Sequence, residues 1–82
     1  MRIEENWAVP AHRIDAFLRQ QPDVSPAEDG FRFGDCQITL TPLPMTEGFF
    51  AVHRTLVVME GAEEPLRQIY RRFFLQFLSA GG

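Results

Sequence analysis

The chain has 82 residues, a net charge of −3, and hydrophobic and aromatic shares of 45% and 12%, enough apolar material for one core but not two. The acidic balance gives a polyanion no general attraction, which argues against nucleic-acid binding. A single cysteine, Cys36, excludes an intrachain disulfide and a cysteine-based zinc site, and no apolar run approaches the length of a membrane span.

These limits describe one compact domain over residues 1–82, soluble and cytoplasmic, with no leader-like apolar segment after Met1. A chain this short buries only roughly 60–65% of its unfolded surface, so it needs dense packing or a partner. All eight basic residues are arginine. The absence of lysine removes Schiff-base and P-loop chemistry, and fits GC-rich, bacterial-type codon usage better than a demand for the planar guanidinium.

In chain order, Met1 to Val9 begins with a strand that has Ile3, Glu5 and Trp7 on one face, and Val9 then leads into Pro10. Glu5 interrupts that apolar face, which suggests an edge strand or a bulge. Pro10 suits the first position of a helix whose stripe is Ala11, Ile14, Phe17 and Leu18, and Pro22 ends it. Residues 22–29 have loop composition.

Gly34-Asp35 is a two-residue turn with glycine where type II′ requires positive φ. Folding about it pairs Phe33 with Cys36, Arg32 with Gln37 and Phe31 with Ile38. Phe31, Phe33, Cys36 and Ile38 then share one face, which Leu40 extends. A slip of one residue would split that apolar set, so the register is strongly specified. Pro42-Leu43-Pro44 cannot sit in a central strand. Phe49 to Glu60 is rich in β-branched residues, and both its faces are apolar from Leu56 to Met59. Such a strand is either central or part of an interface.

The last segment, Ala62 to Ala80, carries Leu66, Ile69, Tyr70, Phe73 and Phe77 at helical spacing. Glu63 and Glu64 precede Arg71 and Arg72, the favourable order for the helix dipole. The expected order is β-α-β-β-β-α, an α+β sandwich with two helices on one face of an antiparallel sheet.

No catalytic constellation emerges. Cys36 lies on the apolar face of the hairpin and behaves as a small hydrophobe. His12 and His53 lack a third ligand at metal spacing, so no metal or cofactor is expected. Gly30-Phe31-Arg32-Phe33 is similar to part of an RNA-recognition strand, but Asp29 stands where that motif is basic, so both Phe residues read as core. Gly81-Gly82 is similar to the tail of ubiquitin-like sulfur carriers. Those proteins reach it from a strand, and after a helix glycine is also the expected cap.

Two surfaces remain. Leu43, Met45, Phe49 and Phe50 in an irregular segment, with Leu75 opposite Leu66 on the last helix, are more apolar surface than a monomer needs, which points to a homodimer or another protein partner. Alternatively Arg67 and Arg71, adjacent on the last helix, could join Arg54 across the sheet to hold a small anionic metabolite.

Overall fold

The computed structural model describes residues 1–44 and 53–81, the side chains of 78–81 excepted. Among these residues the elements are β1 (Arg2–Trp7), α1 (Ala11–Arg19), β2 (Ser25–Ala27), β3 (Gly30–Phe33), β4 (Cys36–Pro42), β5 (Thr55–Glu60) and α2 (Glu63–Gly81). The strands form one antiparallel sheet in the order β1-β5-β4-β3-β2. Both helices pack on one of its faces, so the fold is the expected α+β sandwich.

The hairpin forms in the expected register: Phe33 faces Cys36, Arg32 faces Gln37 and Phe31 faces Ile38. Gly34 has φ +60° and Asp35 does not have positive φ, the combination a type II′ turn requires. β4 continues to Pro42, against the expectation that Pro42-Leu43-Pro44 stays out of a central strand. Proline is tolerated because β3 pairs with β4 only at residues 36–38, so among the described residues Pro42 faces Thr55 of β5 alone. Residues 49–52 of the expected Phe49–Glu60 strand lie outside the described residues, and β5 spans Thr55–Glu60. His53 and Arg54 precede it outside the strand, although the Arg54 carbonyl still accepts from the Leu43 N–H at 2.9 Å.

A further feature departs from the sequence expectation. The stretch with loop composition contains β2, a three-residue strand in which Pro26 faces Phe31. Proline is tolerated there because β2 is an edge strand and needs no donor on its outer side. The segment before Pro10 begins with β1, as its alternation indicates. The strand ends at Trp7, and the Val9 carbonyl accepts from the buried Thr55 hydroxyl at 2.7 Å.

The core follows from strand alternation. Phe31, Phe33, Cys36, Ile38, Val57 and Met59 point to the helix side and meet Ile14 and Leu18 of α1 and Leu66, Ile69, Phe73 and Phe77 of α2. Aromatic rings meet edge to face where the layers join: Trp7 lies 4.8 Å from Phe73, and Phe17 lies 5.4 Å from Phe77. Arg72 fastens α2 to the segment after α1. Its guanidinium donates to both Asp23 carboxylate oxygens at 2.7 and 2.9 Å and lies over the Phe33 ring. That bidentate bond holds the Asp23 carboxyl below its ordinary range.

β5 is central, flanked by β1 and β4, which accounts for its apolar residues on both sides. Leu56 and Val58 lie on the face away from the helices and are half-buried between the side chains of the neighbouring strands.

Candidate functional site

Among the described residues β1 forms one edge of the sheet and β2 the other, and the two edges differ. β2 is three residues long and contains Pro26, two of the devices by which proteins blunt an edge. β1 is six residues long and contains no proline.

The ladder shows which backbone groups of β1 face outward. The Met1 amino group donates to the Gly61 carbonyl at 2.9 Å, and the Gly61 N–H donates back to the Met1 carbonyl at 3.0 Å. Hydrogen-bonded pairs alternate in an antiparallel ladder, so Ile3, Glu5 and Trp7 turn their backbone groups to β5. Arg2, Glu4 and Asn6 therefore turn theirs away from the sheet.

Above this edge runs a groove of about 400 Å³ lined by Glu5, Asn6, Trp7, Tyr70 and Phe74. Strand and helix periodicities bring these residues together. Glu5 and Trp7 are two apart on β1 and so share its helix-side face, while Tyr70 and Phe74 are four apart on one flank of α2. The Phe74 ring centroid lies 6.1 Å from those of Trp7 and Tyr70, and Phe74 stays 37% exposed.

The interruption of the apolar face by Glu5 has a structural reason. Its Oε1 accepts from the Tyr70 hydroxyl at 2.7 Å and from the Trp7 indole N–H at 3.3 Å, so one carboxylate satisfies two half-buried aromatic donors. Burial, reinforced by the Glu5 carboxylate, pushes the Tyr70 phenol from 10 up to about 12. The folded state thus holds this proton more tightly than the unfolded chain does. Its stabilising effect is complete below pH 10 and is lost as pH rises through 12. Tyr70→Phe is expected to flatten the decline of the urea midpoint over that interval, and an unchanged decline would show that Tyr70 is not its source.

The arginines expected to act together are separated. Arg54 donates to the Asn6 side chain at 2.7 Å. Asn6 alternates with Glu5 and Trp7, so this bond lies on the sheet face opposite the helices. Arg67 and Arg71 do share a shallow recess of about 480 Å³ on the outer face of α2 with Glu63, Glu64 and Gln68. There Arg67 pairs with Glu63 at 2.6 Å. Arg54 therefore does not face them across the sheet.

Of the residues expected at an interface, Leu43 is half-buried and Leu75 is 54% exposed on the outer side of α2. Met45, Phe49 and Phe50 lie outside the described residues. Cys36 is fully buried, with its thiol toward the Ala62 carbonyl, and burial, with Asp35 beside it, raises its pKa. His12 and His53 are exposed, and among the described residues no three His, Cys, Asp or Glu side chains gather as a metal site. Phe31 and Phe33 are core residues. Among the described residues no helix is long and apolar enough to cross a membrane.

Comparison of the chain with protein-family models, with curated proteins and with solved structures found no match.

Proposed function

We propose that this chain is a protein-interaction module that takes up an extended polypeptide as a sixth strand along β1. The observation that carries this reading is the coincidence of an edge strand free of proline with an aromatic groove directly above it. An added strand would bond to the outward backbone groups of Arg2, Glu4 and Asn6, and alternate side chains of that strand would point into the groove. Backbone bonds supply affinity in such recognition and side-chain pockets supply specificity. Trp7, Tyr70 and Phe74 are the residue types that suit a binding surface, apolar in body with polar edges on Trp and Tyr.

The anionic-metabolite reading is weaker, because Arg54 bonds Asn6 away from the helices and Arg67 is neutralised by Glu63.

Glu4→Pro tests the proposal. The Glu4 backbone faces outward, so the substitution removes a donor from the edge without breaking a bond to β5, and proline is tolerated on an edge strand. The expected result is loss of association with thermal stability retained. Association is read on whatever strand the wild type takes up, either itself in sedimentation or extended peptides from a randomised display library. A Glu4→Pro chain that associates as the wild type does would overturn the proposal.

A further inference from the structure

We infer that the strand taken up on β1 is β1 of a second copy, paired antiparallel about a two-fold axis at Ile3; this rests on the edge-strand reading above. The residues of β1 carry a pattern that matches itself in reverse. Outward-facing residues can pair only with outward-facing residues, so Arg2, Glu4 and Asn6 must meet Arg2, Glu4 and Asn6 of the copy. Three two-fold registers then bear comparison.

Centred on Glu4, the pairing sets Glu4 against its own copy, and like charges directly opposite destabilise a ladder. Centred on Glu5, it does the same with Glu5, whose carboxylate is already enclosed by Trp7 and Tyr70. Centred on Ile3, it sets Arg2 against Glu4 of the copy, twice by symmetry, and Ile3 against Ile3. Within one chain Arg2 already lies 3.6 Å from Glu4 and 3.4 Å from Glu60, all on the exposed face. The exchange of partners therefore adds little affinity. Its effect is to select the register, because the alternatives are repulsive.

The Ile3 register also accounts for exposed apolar surface. Met1 is 54% exposed and shares the helix-side face with Ile3 and Glu5. In this register Met1 of the copy stands opposite Glu5, at the mouth of the groove where Phe74 is exposed. A flexible thioether against aromatic edges is a favourable contact. The interface is isologous, as a two-fold dimer requires: each copy offers Met1 and receives it in the groove of the other.

Cysteine cross-linking reads the register directly. Residues facing each other in a non-hydrogen-bonded pair have Cα atoms about 4.5 Å apart, within disulfide reach. The native Cys36 is fully buried and stays out of the reaction. Under mild oxidation Ile3→Cys is expected to form covalent dimers at least about tenfold faster than Glu4→Cys. In sedimentation, Arg2→Glu is expected to weaken the dimer about tenfold or more, and the swapped Arg2→Glu/Glu4→Arg chain to recover it. Both of these substitutions are on the surface, so the second arm stands even where Ile3→Cys folds poorly. Faster cross-linking at Glu4→Cys would overturn the Ile3 register and leave the edge-strand reading intact. A wild type that stays monomeric to millimolar concentration, with no cross-link at either position, would overturn the second copy as occupant. The edge-strand reading would then be decided by the peptide library and Glu4→Pro.

Discussion

Phe73→Ala is expected to remove about 3–5 kcal/mol, a quarter or more of the chain's total stability. Phe73 is fully buried where the layers meet, its ring 4.8 Å from Trp7, 4.9 Å from Phe77 and 6.5 Å from Phe17. Truncating a buried phenylalanine costs about 3–5 kcal/mol, part of it from the cavity left behind. At about 0.05–0.15 kcal/mol per residue, a chain of this length holds only about 4–12 kcal/mol in total. Urea unfolding followed by the fluorescence of Trp7, the sole tryptophan, measures the loss at the contact itself. Phe74→Ala, one residue on but 37% exposed, is expected to lose about 1 kcal/mol. Near-equal losses for the two variants would mean that α2 is seated differently.

Gly30→Ala is expected to be nearly as damaging, for a different reason. Gly30 opens β3 with φ +153°, and a Cβ there would lie 2.0 Å from the Ile38 carbonyl oxygen and 3.3 Å from the Thr39 Cα. These are backbone atoms of the neighbouring strand, so no side chain can swing aside. The hairpin itself must move. Backbone strain and overpacking each cost about 1–3 kcal/mol, so together they reach about 2–6 kcal/mol. Gly34→Ala is the informative control. Gly34 also has positive φ, but a Cβ there meets only the Pro65 Cβ at an ordinary 3.8 Å. It is expected to lose only the roughly 1–2 kcal/mol of the left-handed conformation. A Gly30→Ala chain no less stable than Gly34→Ala would contradict the close approach.

The parts of this fold legible in the sequence are those set by local chemistry. The Gly34-Asp35 turn and the alternation around it determine the pairing of Phe31 with Ile38 without reference to the rest of the chain. The stripe through Leu66, Ile69 and Phe73 likewise identifies the buried side of α2. β2 was not legible, because Ser25, Pro26 and Ala27 have no strand preference of their own and become a strand only by pairing with β3. The place of β1 beside β5 depends on a closure across most of the chain, which no local pattern reports.

The candidate site was half legible for the same reason. Glu5 on an apolar face is visible in the sequence and marks an edge. Its use as common acceptor for Trp7 and Tyr70 depends on a contact 65 residues away. Arg54, Arg67 and Arg71 show the opposite failure. Their charge suggests a cluster, but Arg54, just before β5, bonds Asn6 on the far face of the sheet.

If the outer backbone groups of β1 are a binding surface, amide hydrogen exchange across β1 must register their occupation. At low concentration Ile3, Glu5 and Trp7 are expected to be protected by β5, while the Glu4 and Asn6 amides exchange freely. As concentration rises from micromolar to millimolar, protection is expected to grow at Glu4, the outward amide inside the Ile3-centred ladder, with Ile3 and Glu5 unchanged. Free exchange at Glu4 at every concentration, and in the presence of extended peptides selected for binding, would contradict a binding surface on β1.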